Sequence, residues 1–213
     1  MALSGFGTSN FIRQASAILS ATPLTIACFG KTPTLATLQY MVGVFASGSA
    51  ANRNCFALAV QGTNAPIAAA ADGSSFAGPS GTAISANTWF HACGVWTSNA
   101  SRTIYVDGAN PVTNTTSLTP TGQNRTSIGL GDGSSAVNPW LGSLAEIGIW
   151  NAALDAAEIA ALSGGYPPSL IRPSSLVAYL PIVRDLIDLK GNSFAITGSL
   201  SAADHCRIYG RAA

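Results

Sequence analysis

The stretch GSLAEIGIWNAALDAAEIAALSGG, residues 142–165, joins the pattern of a β-strand to that of a short helix. In its first part apolar side chains alternate with others, as they do in a strand whose successive residues point to opposite faces of a sheet. This periodicity predicts a strand that ends at Trp150. One predicted face carries Ala145, Ile147 and Ile149, and the other carries Leu144, Glu146, Gly148 and Trp150.

The second part of the stretch has the signature of a capped helix. Asp155 is placed to accept the backbone N–H of Glu158, and Glu158 can reach back to the N–H of Asp155. Leu154 and Ile159 occupy the two positions of a hydrophobic staple, and the glycine pair at 164–165 supplies a left-handed residue at the helix end. We therefore expect Glu158 to be a capping residue.

Both glutamates of the chain fall in this stretch, so their roles bear on whether the protein is an enzyme. A glycosidase needs two carboxylates, one acting as acid and the other as base or nucleophile, at a fixed separation. With Glu158 assigned to the helix cap only Glu146 is left, so we predict no catalytic residue and no enzyme. Glycoside hydrolysis stays an alternative that requires a second carboxylate within about 10 Å of Glu146.

Short strand-like runs recur along the rest of the chain between clusters of Gly, Ser, Asn and Pro. Their spacing, with one short helix, predicts an all-β antiparallel sandwich. Asp107 and Gly108 suit a type I′ hairpin turn, and the polar segments 72–88 and 129–140 are predicted rim loops where binding could reside. The predicted strands are residues 24–29, 39–46, 55–61, 89–96, 102–107, 126–130, 141–150 and 176–181.

The charge content limits the classes of partner. Charged residues make up 9% of the chain, against about 25% in an average soluble domain. With a net charge of +1 there is no field to attract nucleic acid or an acidic membrane, and no apolar run reaches the ~20 residues of a membrane span. The first residues also lack the pattern of a cleaved signal peptide. We expect a homo-oligomer or a subunit of a larger particle, with a monomer kept soluble by Ser, Thr and Asn as the alternative.

Disulfide and metal chemistry have little support. The cysteines show no C-x-x-C spacing and mostly lie in apolar strand patterns, so we expect free, buried thiols. The acidic residues at the rim, mainly Asp72 and Asp132, each precede a glycine in a turn that needs no metal. We predict no metal site and no cofactor, with a structural calcium ion as the alternative. The four cysteines are Cys28, Cys55, Cys93 and Cys206.

Three pieces of the chain resemble LamG-like, concanavalin A-like jelly-roll domains. NTWFHACGVWTSNASRTIYVDGANP, residues 87–111, resembles their paired central strands, and residues 127–162 resemble their G-x-I-x-E-V-x-I-W/Y-N strand followed by the capped helix. ATPLTIACFG, residues 21–30, is similar to their early strand. The resemblance implies two packed antiparallel sheets, a fold found in lectins, pentraxins, laminin globular modules and some glycoside hydrolases. The E-x-D-x-x-E motif of the hydrolase branch is missing, because the corresponding strand has only Glu146.

The C-terminal part resembles the piece that usually starts a LamG-like domain, although here it follows the helix. We expect a jelly-roll domain over residues 1–170, with an N-terminal arm at 1–21. The segment 171–213 either completes the sheet through residues 176–181 or docks on a neighbouring subunit.

The end of that segment, DHCRIY at 204–209, resembles jelly-roll proteins encoded by tailed bacteriophages. The resemblance implies a non-enzymatic protein located in the virion, most simply a capsid decoration protein with capsid or tail subunits as partners. A carbohydrate-binding or receptor-binding module of a tail or fibre is the alternative. His205 and Arg207 are expected to anchor the tail, because no catalytic partner is indicated near them.

One tryptophan is a candidate for binding a glycan. Trp89, Trp96 and Trp150 fall in predicted strands and are expected in the core, whereas Trp140 lies in the loop NPWLG and is predicted to stack on a sugar. His91, in mid-strand, is expected to be hydrogen-bonded at the edge of the sandwich.

Overall fold

Two antiparallel sheets face each other across an apolar core, and a short helix packs on the outside of one of them. This computed structural model describes residues 2–48, 52–132, 136–182, 186–206 and 208. The architecture confirms the predicted antiparallel sandwich with one short helix. The strands are β1 (Ala2–Ser4), β2 (Phe11–Gln14), β3 (Leu24–Lys31), β4 (Gln39–Phe45), β5 (Asn52–Val60), β6 (Pro66–Gly73), β7 (Phe76–Ala77), β8 (Phe90–Ser98), β9 (Ser101–Val106), β10 (Ala109–Asn114), β11 (Arg125–Ile128), β12 (Gly131–Asp132), β13 (Ala136–Val137), β14 (Ser143–Trp150), β15 (Leu176–Leu180), β16 (Ala195–Thr197) and β17 (Ser201–Ala203).

The first sheet has the strand order β10-β9-β8-β3-β14-β1-β17, and β15 also pairs with β14. The second sheet has the order β16-β2-β11-β4-β5-β6-β7, and β12 and β13 form a small separate ribbon. The helix α1 covers Ala156–Ser163, and a 3₁₀ turn follows at Pro168–Leu170. No helix among the described residues is long and apolar enough to cross a membrane.

All eight predicted strands form, with ends that differ by a few residues from those expected. The strand β6 was not predicted, because its run of alanines has little of the branched or aromatic character typical of strands. It pairs with β5 along its whole length, and Ala68–Ala71 are completely or almost completely buried. The small side chains suit a strand that is covered on both faces.

The strand β14 departs from regular alternation at Glu146, which has φ of +51°. Its pairing with β3 shifts register between Ala145 and Gly148, which marks a β-bulge. Leu144 therefore points into the core between the sheets, whereas Trp150 packs beneath the helix on the outside. The prediction that these two side chains share a face is wrong, because the bulge puts the halves of the strand out of phase.

The helix cap forms as predicted. The Oδ1 atom of Asp155 accepts the N–H of Glu158 at 2.9 Å, and Oε2 of Glu158 accepts the N–H of Asp155 at 2.8 Å. Leu154 and Ile159 are both buried in the cluster under the helix. Arg172 adds an interaction that the sequence did not reveal, because its Nε and Nη2 donate to Glu158 at 2.8 and 2.6 Å.

Two predicted turns have left-handed backbone. Asp107 and Gly108 have φ of +52° and +72°, as a type I′ turn between β9 and β10 requires. At the helix end Gly165 has φ of +95°, whereas Gly164 stays in the right-handed region.

The first and last strands are interleaved. In the first sheet β1 lies between β14 and β17, and in the second β2 lies between β11 and β16. As far as it is described, the predicted N-terminal arm at 1–21 is thus built into both sheets and is not a separate arm. From residue 171 onwards the described part of the chain supplies β15, β16 and β17, which pair with β14, β2 and β1.

Candidate functional site

A cleft opens at one end of the first sheet, between the long loop that follows β7 and the β9–β10 hairpin. The loop contributes residues 82–85, Thr88 and Trp89, and the start of β8 contributes Phe90. Its opposite wall is formed by Val106, Asp107, Ala109 and Asn110. This cleft is lined by apolar side chains together with hydroxyl and amide groups, a composition suited to binding a small polar ligand.

The tryptophan at the cleft is Trp89. It lies just before β8 and is partly exposed, and Nζ of Lys31 is 5.4 Å from the centroid of its ring. A cation at this distance attracts the face of the indole and helps to fix its orientation. Trp89 is half-buried: it packs against the cluster that contains Phe29 and Ala145, and it also forms part of the wall of the cleft.

Trp140, the tryptophan predicted to stack on a glycan, has no exposed surface. Its Nε1 donates to the carbonyl oxygen of Ser143 at 3.1 Å, and its ring lies beside that of Phe90. Gly30 makes room for it, because a Cβ at that position would be 3.1 Å from the Trp140 ring. A ring that is completely covered cannot stack on a sugar, so the structure corrects the binding role predicted for Trp140.

Asp107 connects the cleft to the sheet. Its Oδ1 accepts the backbone N–H of His91 at 2.7 Å, and its own N–H donates to the carbonyl oxygen of His91 at 2.9 Å. The Asp107 carboxylate thereby stabilises the hairpin turn. Asn110, with φ of +49°, presents an exposed side chain beside it.

His91 lies in an interior strand, between β3 and β9, and not at the edge of the sandwich as expected. Its ring is buried against Phe29, with the two ring centroids 4.9 Å apart, and among the described residues Nδ1 has no hydrogen-bond partner. Burial lowers the pKa of His91 from 6.5 to about 3, because the charged imidazolium would lose its hydration. His91 is therefore neutral over the ordinary pH range.

Glu146 is buried on the outer side of the first sheet. Its Oε2 accepts a hydrogen bond of 2.5 Å from the hydroxyl of Tyr179, and its Oε1 is 3.3 Å from Nε2 of His205. The contact with the imidazole joins the segment around His205 to the first sheet, whereas Arg207, also expected to anchor the tail, lies outside the described residues. No local pattern predicts these contacts, because β15 and the tail that supply the partners are remote from β14 along the chain.

The two predicted rim acids have structural roles. Oδ1 of Asp72 accepts the N–H groups of Ser74 and Ser75, and these hydrogen bonds, chiefly that from Ser75, lower the pKa of Asp72. Asp132 is buried between Arg13 and Arg125. The described residues contain no group of three side chains suited to hold a metal ion.

The four cysteines are buried thiols that form no disulfide bond, as predicted. Burial is the main cause that raises the pKa of Cys28 and of Cys93 above the usual thiol value. These two thiols therefore behave as small apolar side chains and not as nucleophiles.

Several solved structures share this architecture. A heptameric SAP-like pentraxin from Limulus polyphemus superposes with a TM-score of 0.65 at 16% identity, covering 94% of this chain and 93% of that one. A putative carbohydrate binding protein from Bacteroides ovatus gives 0.67 at 13% identity, over 96% and 60%. The CBM40 of a Ruminococcus gnavus IT-sialidase, bound to α2,3 sialyllactose, gives 0.58 at 15% identity, over 68% and 84%. At such low identities these likenesses show a common fold.

No curated protein sequence matches the chain at a significant level. A family model does match it over residues 6–160, and its description is the concanavalin A-like lectin/glucanases superfamily. The match extends from β2 through β14 into the helix, and it covers the pieces at 21–30 and 87–111 completely and the piece at 127–162 up to residue 160. The chain therefore belongs to the concanavalin A-like lectin/glucanases superfamily.

Proposed function

We propose that this chain is a lectin-like module that binds a glycan in the cleft, with Trp89 as its stacking surface. The partial exposure of Trp89 carries the proposal, since the other three tryptophans have no exposed surface. An aromatic ring at a cleft wall offers a flat apolar face to the C–H groups of a sugar ring.

The remainder of the cleft supports the same kind of ligand. Exposed Ser85, Thr88 and Asn110 supply hydroxyl and amide groups, which both donate and accept hydrogen bonds as sugar hydroxyls do. Two proteins of similar fold are described as a putative carbohydrate binding protein and as a module bound to sialyllactose. Function does not follow from fold, so the proposal depends on the cleft itself.

A glycan array followed by calorimetric titration of the best ligand tests this proposal. We expect Trp89→Ala to weaken binding by about tenfold or more, as is common when a central aromatic contact is lost. Phe76→Ala is the matched control, because Phe76 is an exposed aromatic residue outside the cleft. Binding that survives Trp89→Ala, or a wild-type chain that binds no glycan on the array, would overturn the proposal.

A second cleft variant guards against a general loss of folding in Trp89→Ala. Asn110→Gly removes the side-chain amide while keeping a residue that tolerates positive φ. We expect weaker glycan binding with an unchanged melting temperature, measured by thermal unfolding.

The proposed module acts without catalysis. Tyr179 and His205 contact Glu146, and neither is the second carboxylate that a glycosidase would need. Incubating the chain with the glycans that it binds should therefore release no reducing sugar.

We further propose that the module serves in a bacteriophage virion, as a capsid decoration protein or, alternatively, as a receptor-binding part of a tail or fibre. Its support is the sparse charge of the chain, together with exposed apolar side chains that neighbours could cover: Tyr166, Leu170, Ile187 and Leu189. The heptameric assembly of the similar pentraxin favours a homo-oligomer. Mass spectrometry of purified particles tests the role, and absence of the chain from them would overturn it.

A further inference from the structure

A second polar centre lies on the outer face of the second sheet, away from the cleft. Asp132 is buried there, with only 4% of its side chain exposed. Nε of Arg13 is 2.8 Å from its Oδ2, and Nη1 of Arg125 donates to its Oδ1 at 3.1 Å. Arg13 and Arg125, here called the arginine pair, come from the adjacent strands β2 and β11.

The arginine pair carries more charge than Asp132 neutralises. One carboxylate faces two guanidinium groups, and neither guanidinium has another ion pair or hydrogen bond with the described residues. The side chains of Arg13 and Arg125 are 27% and 32% exposed. Each arginine side chain is therefore partly open to solvent, and within the described part of the chain the centre has one surplus positive charge.

The guanidinium group of Arg13 is held in place before any ligand binds. The guanidinium carbon of Arg13 lies 4.5 Å from the centroid of the Phe11 ring, and Phe11 is itself buried. Stacking fixes the plane of Arg13, and the contact with Asp132 fixes its rotation. Little conformational freedom is then lost when a ligand binds.

We propose that the arginine pair binds a carboxylate group of a ligand. A planar carboxylate matches the parallel N–H groups of a guanidinium and forms charge-assisted hydrogen bonds with it. One negative charge also balances the one surplus positive charge, whereas a doubly charged phosphate would exceed it. This site stands on its own geometry, so it can hold even if the cleft binds no glycan.

NMR titration of the full chain labelled with ¹⁵N, following the arginine side-chain Nε–H signals, tests the site. The probes are glucuronate, acetate, glucose and inorganic phosphate. We expect glucuronate or acetate to shift the signals of both arginines, and glucose to leave them unchanged. A response to glucuronate alone identifies an acidic sugar as the source of the carboxylate, and an equal response to acetate identifies the carboxylate as sufficient.

Variants assign the response to the arginine pair. We expect Arg13→Gln and Arg125→Gln each to weaken carboxylate binding by roughly tenfold or more, because each removes charge-assisted hydrogen bonds. Either variant leaves one arginine on Asp132, so the buried carboxylate keeps a partner. Lys190→Gln is the matched control, since it removes the same charge from an exposed residue elsewhere.

Three outcomes would overturn the site: no response of the arginine signals to either carboxylate, equal affinity in wild type and both variants, or tighter binding of phosphate than of glucuronate and acetate. The thermal unfolding midpoint of each variant shows whether a loss of binding reflects a loss of folding.

Discussion

The outer faces of the two sheets both contain buried ionisable groups, but these groups are stabilised by different kinds of partner. On the first sheet His91 is neutral and packs on Phe29, while Glu146 is held by Tyr179 and His205. On the second sheet Asp132 stays between two permanently charged arginines. The first face therefore contains a histidine that burial keeps neutral, whereas on the second face two guanidinium groups share one carboxylate.

The largest expected effect concerns His91. The folded state keeps it neutral down to a pKa of about 3, but the unfolded chain takes up a proton near pH 6.5. Between these values the unfolded state binds more protons, so acidification destabilises the fold, by about 3 kcal/mol at pH 4. Urea unfolding at pH 7, 5.5 and 4 measures the loss. The loss of stability on acidification should be clearly smaller in His91→Leu than in the wild type. Equal losses in the two proteins would contradict the account of the first face.

The next effect is expected for Asp132→Asn. Removing the carboxylate leaves two partly buried guanidinium groups facing each other without their anion. Breaking a fully buried pair costs about 3–5 kcal/mol, and the partial exposure of both arginines reduces this to about 2–3 kcal/mol. Urea unfolding at pH 7 measures it. A decrease in the free energy of unfolding of less than about 1 kcal/mol would show that water already solvates the arginine pair.

A smaller loss is expected for Tyr179→Phe. This change removes the hydroxyl that donates to Oε2 of the buried Glu146 but keeps the ring packed near the helix. Because the buried carboxylate loses one hydrogen-bond donor, the free energy of unfolding should fall by about 1–2 kcal/mol at pH 7. Chemical denaturation measures the change, and Tyr105→Phe, on the half-buried Tyr105 of the same sheet, is the control.

The smallest effect is expected for Arg13→Gln. Because Arg125 still pairs with Asp132, the free energy of unfolding should fall by less than about 1 kcal/mol. Thermal and urea unfolding of this variant beside Asp132→Asn measure the difference. If the two variants are equally unstable, Arg13 is needed to neutralise Asp132 and is not in surplus.

The sequence predicted the features that depend on local rules. The helix cap at Asp155 and Glu158 and the turn at Asp107 and Gly108 each need only residues close together in the chain. The strand runs were recognised from their alternation, and the sandwich followed from their number and spacing. Arg172 could not be foreseen, because its contact with Glu158 joins the helix to a later segment.

The candidate site was harder to predict. Whether a tryptophan is exposed depends on how loops fold over the sheet ends, so the sequence predicts Trp140 in an open loop, whereas the structure buries Trp140 completely and leaves Trp89 half-buried. The bulge at Glu146 also has no local signature, since a glutamate with positive φ is set by pairing on both sides of β14. Such features arise from tertiary contacts that overrule local preference.

The pairing of β1 with β17 has a consequence for folding. Ser4 and Ser201 contact each other although they are 197 positions apart in the sequence. Closing so long a loop costs entropy that is recovered only once the intervening strands are in place. We therefore expect the hairpins β4–β5–β6 and β8–β9–β10 to form early, and the pairing of β1 with β17 to form last during synthesis and to open first under force.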